Sequence, residues 1–149
     1  MDAETGSYNI TGSSATLTVL SYPQRLVRVA DDLICGREFG IAVVVLHMAA
    51  EIAVEGCLSE AFTTRDIRGL EGPISNFLNG YNLANDHIRK LFVAMTDDKI
   101  EKQSFWQGFK ESAKLRNEIM HKKKIATEEE ARHSLDAVSE LLRHLGHQV

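Results

Sequence analysis

The chain has little of what breaks or staples a fold: 149 residues hold two prolines and two cysteines. So few prolines leave long stretches free to be helical, because proline is the strongest helix breaker. Cys35 and Cys57 both lie inside apolar runs. They read as small buried hydrophobes in a reducing compartment, not as a disulfide framework. Aromatic residues make up 7%, too few for a platform that stacks single-stranded bases. No cationic stretch precedes an apolar one at the start, so no secretory leader is expected. The most apolar run, 41–54, is interrupted by His47 and Glu51. It falls short of the ~20 apolar residues that a bilayer span needs. The expectation is a cytoplasmic protein without a membrane partner. Neither a glycine-rich phosphate loop nor a spaced Cys/His ligand set is present. His144 and His147, three apart, are the nearest approach to a metal pair, and no metal or cofactor is expected.

What is present suits one globular domain. Hydrophobic residues are 44% and charged residues 26%. A chain of this length buries roughly 70% of its unfolded surface, enough for a core without staples. Residues 1–20 are rich in Thr, Ser, Gly and Asn, and read as a flexible arm, with a short extended piece at 16–20. Residues 21–149 read as one all-α, up-and-down bundle of four to five helices. The first is expected over 23–36, with Leu26, Val29, Ala30, Leu33 and Ile34 on its inner side. The second, over 38–62, is apolar around most of its circumference, with one polar stripe at His47, Glu51, Glu55 and Ser59. Such a helix is buried on several sides, at the centre of a bundle or at a subunit interface. Gly69, Gly72 and Pro73 break the next stretch, leaving a short helix near 74–78. Further helices are expected over 83–95 and 102–121. The last begins after Thr127, which forms a capping box with Glu130 ahead of Ala131, Leu135, Val138, Leu142 and Leu145.

Charge is unevenly distributed. The total is −4. Between Lys110 and Ile125 there are six cations and two anions, a local net of +4, which leaves −8 for the remainder. An acidic chain with one cationic end to one helix has the footprint of a local polyanion site.

That end reads Arg116-Asn117-Glu118-Ile119-Met120-His121-Lys122-Lys123-Lys124. Asn117 and His121 are four apart and share a helix face, where the amide can orient the imidazole. A histidine can move a proton near neutral pH, and an arginine can stabilise charge on phosphorus. These are the groups that phosphodiester cleavage needs in the absence of a metal. Arg116 has an ordinary reading too, as a surface partner of Glu111 or Glu118. So does His121, as a cation at a helix C-terminus.

An Arg followed by a polar residue, then a His shortly after, closing a helix before a Thr-capped, Glu-rich helix, resembles the signature of the HEPN superfamily. The likeness covers about 27–145 by helix order, and its specific part is 105–135. It implies a helical bundle that dimerises. Many members are metal-independent ribonucleases of toxin–antitoxin and abortive-infection systems, in which the Arg and His of two subunits share a cleft and the RNA 2′-hydroxyl attacks. Others bind nucleotides or partner proteins without catalysis. By this resemblance Arg116, Asn117 and His121 form the catalytic set. Lys114, Lys122, Lys123 and Lys124 are candidates to contact RNA, and His47, Glu51 and Glu55 to back the site. The implied partners are RNA, a second copy of the chain, and an antitoxin or regulatory protein. Members silenced by a nucleotidyltransferase carry a Tyr two residues after the His. Lys123 stands there in this chain, so that mode of silencing is not expected. The broad apolar face of the second helix also suits a subunit of a larger complex.

Overall fold

The computed structural model describes residues 5–10 and 13–149. From Tyr22 onward the regular elements are helical, and they form an all-α bundle. Its helices are α1 (Tyr22–Cys35), α2 (Phe39–Thr64), α3 (Glu71–Phe77), α4 (Asp86–Thr96), α5 (Trp106–Lys122) and α6 (Glu128–His144). Short 3-10 turns at Arg68–Leu70 and Ile100–Lys102 lead into α3 and towards α5.

The helix ends follow local chemistry. Ser21 caps α1 by a reciprocal box with Gln24, and Pro23 occupies the first turn, where its missing N–H costs nothing. Asn85 caps α4, accepting from the N–H groups of His87 and Ile88. Thr127 and Glu130 form the expected box at the start of α6. Between α1 and α2 the chain reverses in three residues. Arg37 turns left-handed with φ 65, and Glu38 N–H donates to the Leu33 carbonyl at 2.8 Å.

α2 is the central element, in contact with α1, α4, α5 and α6. Leu46, Val43 and Val54 on α2 are almost fully buried, as are Phe92 on α4, Phe109 on α5 and Leu142 on α6. By length and composition alone α2 could cross a membrane, but half of its most apolar stretch is packed inside the bundle. Ile41 and Met48, seven apart on one face of α2, remain about half exposed. At the other end of the chain His147 Nδ1 lies 3.1 Å from Ser21 Oγ. The Gln24 side chain donates to the Gln148 carbonyl at 2.6 Å, which fastens the C-terminus to the start of α1.

Several sequence expectations need correction. The stretch expected as an arm contains two antiparallel strands, β1 (Thr5–Ile10) and β2 (Ser13–Thr18), paired from Thr5–Thr18 to Ile10–Ser13. Its polar composition hid two segments of equal length separated by two residues, which is hairpin spacing. The parts of that arm at residues 1–4 and 11–12 lie outside the described residues. α1 presents the expected face except at one position: Ala30 and Ile34 are buried and Leu26 and Leu33 pack against the core, but Val29 is 46% exposed and Val27 is buried in its stead. Leu83 precedes α4 instead of opening it, and α5 starts at Trp106, after the 3-10 turn. Cys35 is exposed at the end of α1, against expectation, whereas Cys57 is half-buried against the core. Burial, and then the charge of Glu60, pushes the Cys57 thiol above its ordinary pKa.

Candidate functional site

The C-terminal half of α5 carries the candidate residues. Lys110, Lys114, Asn117 and His121 recur at spacings of four, three and four, which places them on one helix face. With Lys122 and the single acid Glu118 they line an open groove, bounded by Ala84 of the segment leading to α4. Among the described residues, Lys110, Lys114 and Lys122 make no ion pair, so their charge is available to a ligand. Lys110 belongs in this group, although the sequence reading did not single it out. Its signal was the four-residue step to Lys114.

Arg116 takes a different direction. Its side chain runs inward between α5 and α2, where Nη2 lies 3.9 Å from Glu51 Oε1. Nη1 donates to Asn117 Oδ1 at 3.2 Å. The sequence offered Glu111 and Glu118 as ion partners, but Arg116 turns to Glu51. It also offered Asn117 as the group that orients His121. The Asn117 oxygen instead accepts from Arg116, because an adjacent guanidinium supplies a charged donor and the imidazole does not. Asn117 therefore links the half-buried arginine to the groove that His121 lines. No hydrogen bond joins Arg116 to His121 within the chain among the described residues.

The polar stripe of α2 meets this arginine from behind. His47 is 1% exposed, and its Nε2 lies 2.8 Å from Ser112 Oγ on α5, itself 1% exposed. The imidazole also packs against Phe109, with ring centroids 5.5 Å apart. Burial pushes the His47 pKa down to about 4, and the nearby Arg116 charge adds to the effect. His47 is therefore neutral at physiological pH, and it supports the site without exchanging protons there. Glu51 is half-buried against Arg116. Glu55, one turn further along, leaves the cluster. It is exposed and lies beside Tyr81, whose phenol pKa is raised by burial and then by Glu55. Ser112 went unnoticed in the sequence. Its signal was a polar residue four before Arg116 in the row otherwise filled by Phe105 and Phe109.

The three lysines after His121 have different fates. Lys122 faces the groove. Lys123 closes α5 in the left-handed conformation, with φ 55 and ψ 32. Its N–H and that of Lys124 both return to the Glu118 carbonyl. Lys124 Nζ sits 2.7 Å from Glu130 Oε1 and 3.6 Å from Glu118 Oε2. Its charge is offset by these two carboxylates, so it belongs to the α5–α6 joint and not to a free cationic surface. The hydrogen bond to Glu130 raises its pKa.

No protein family, curated protein or solved structure matches this chain. Among the described residues no group of three or more His, Cys, Asp or Glu side chains could hold a metal ion. His144 bonds to Asp98 at 2.6 Å and His147 to Ser21, so the two histidines serve separate structural joints.

Proposed function

We propose that the chain is a metal-independent ribonuclease of HEPN type, acting as a homodimer whose two Arg116/His121 sets meet at one cleft. The observation that carries this reading is the groove on α5. It gathers His121, Asn117 and three unpaired lysines, with Arg116 bonded to Asn117 directly behind them. The lysines attract the phosphate backbone by charge alone. In the reaction, one His121 takes the proton of the RNA 2′-hydroxyl and the 2′-oxygen attacks the neighbouring phosphorus. The His121 of the second copy gives a proton to the departing 5′-oxygen. The products are a 2′,3′-cyclic phosphate end and a free 5′-hydroxyl. Arg116 stabilises the charge that builds on the phosphoryl oxygens. The exposed Ile41 and Met48 of α2 and Met120 of α5 offer apolar surface for such pairing. A role in toxin–antitoxin, abortive-infection or stress defence, with an antitoxin or regulatory partner, accords with this activity in the cytoplasm.

The test is RNA cleavage in EDTA by the wild type and by His121→Ala. Cleavage lost in the variant supports the assignment. Equal cleavage by both, or none by either at high protein concentration, removes it. Light scattering decides the two-chain site, since a monomer that still cleaves argues against sharing.

A second reading is a non-catalytic helical module that binds RNA, a nucleotide or a protein partner. It draws on the inward direction of Arg116, whose Nε is buried and whose Nη2 faces Glu51. An arginine so held works as an anchor, and the groove is then a cationic binding surface. RNA binding without cleavage selects this reading.

A further inference from the structure

Two i, i+4 pairs face each other across the α2–α5 contact: His47 and Glu51 on one helix, Ser112 and Arg116 on the other. His47 is opposite Ser112, and a Cβ on Gly40 would touch Ile119 at 3.7 Å. The helices therefore run in opposite directions here. Long side chains lean towards the N-terminus of their own helix. Arg116 and Glu51 thus converge from opposite ends on the level of His47. Three buried side-chain atoms lack a hydrogen-bond partner among the described residues: His47 Nδ1, Arg116 Nε and Ser134 Oγ. The first two belong to this cluster and are chemically complementary.

We propose that His47 is a positioning residue for Arg116, its Nδ1 lone pair linked to the Arg116 Nε–H through one bridging water. This rests on the reading that Arg116 serves the groove. A neutral imidazole has one donor and one acceptor. With the proton on Nε2 the ring donates to Ser112 Oγ, and Nδ1 presents a lone pair to the guanidinium. The opposite tautomer would set an N–H against a cation that has only donors, leaving both without an acceptor. Burial, and then the Arg116 charge, keep a second proton off the ring, so the acceptor persists at neutral pH. Arg116 is then held on three sides, by His47 at Nε through the water, by Asn117 at Nη1 and by Glu51 at Nη2. A guanidinium held at all three nitrogens keeps its plane fixed, which an ion pair at 3.9 Å could not do alone.

Substitutions separate the two ring nitrogens. Asparagine places an oxygen near the position of Nδ1, whereas glutamine reaches only the position of Nε2. The measurement is nitrogen-15 NMR of the full chain at neutral pH, reading the His47 tautomer and the solvent exchange of the Arg116 Nε proton. The expected wild-type result is an Nε2–H tautomer with a protected Arg116 Nε proton. His47→Gln should speed that exchange by about tenfold, the size of a single hydrogen bond, and His47→Asn should largely preserve it. An Nδ1–H tautomer in the wild type overturns the proposal. So does fast exchange in both variants, or in neither. RNA cleavage is followed in parallel, with kcat expected to fall in His47→Gln while KM holds. If the NMR result stands and the wild type cleaves nothing, the ribonuclease reading fails and the positioning role remains.

Discussion

Glu130 holds Lys124 and caps its own helix with a single carboxylate. Oε1 lies 2.7 Å from Lys124 Nζ, while Oε2 accepts from the Thr127 N–H at 2.9 Å. The α5–α6 turn is therefore fixed from both sides by one side chain. Thr127→Ala should cost about 1 kcal/mol of unfolding free energy by removing the other half of the box. Lys124→Ala should leave RNA affinity unchanged within about twofold, because its charge is already offset. Urea denaturation and filter binding read the two effects separately. A Lys124 variant that binds RNA much more weakly would contradict the placement of this lysine in the joint.

Lys114 and Lys122 should behave in the opposite way. Each lies in the groove without an ion-pair partner among the described residues. Replacing either by Ala should weaken binding to single-stranded RNA of any sequence. It should also reduce the slope of log affinity against log salt by roughly 0.7 per lysine. Titrations at several salt concentrations check both numbers, and an unchanged slope would remove that lysine from the interface.

Stability should depend on His47 in a defined pH window. Its folded pKa of about 4 lies below the ordinary value of 6.5. The unfolded chain therefore binds this proton first as pH falls, and stability drops between about pH 6.5 and pH 4. Below the folded value both states are protonated and the contribution levels off. The full shift corresponds to about 3 kcal/mol. His47→Gln should flatten the pH profile of urea midpoints across this window relative to the wild type. Parallel profiles for the two proteins would show that the ring is not buried as a neutral base.

Arg116→Lys separates charge from shape. Lysine keeps the cation but cannot bond to Glu51 and Asn117 at once through a planar fork. If the chain cleaves RNA, kcat should fall by roughly 10²–10³ in this variant, the usual loss for one preorganised charge stabiliser. RNA affinity should change little. A variant with nearly full kcat would mean that any cation suffices at this position.

The parts of the fold legible in the sequence were those encoded by short-range chemistry. The box of Thr127 and Glu130 gave the start of α6 to the residue, and an apolar run unbroken by proline gave α2 its central place. The hairpin was hidden because Ser, Gly and Asn suggest loop composition, although its pairing is local, across two intervening residues. The inner face of α1 was legible except at its edge, where Val27 is buried in place of Val29, because the two are equally apolar and periodicity alone does not choose between them. At the site, spacing put Asn117 and His121 on one face, and the groove has both. The direction of Arg116 was not legible, because three acids lie within its reach. Glu51 prevails through the approach of α2 to α5, which no local pattern encodes.

Lys123 ends α5 in a backbone region where glycine is at ease and other residues are strained by roughly 1–2 kcal/mol. Lys123→Gly should therefore raise the thermal midpoint, although the greater freedom of glycine in the unfolded chain takes back part of the gain. If it does, the natural chain forgoes stability that a single substitution would recover. What it keeps in exchange is a positive charge two residues after His121, one suited to draw a polyanion towards the groove without having to touch it.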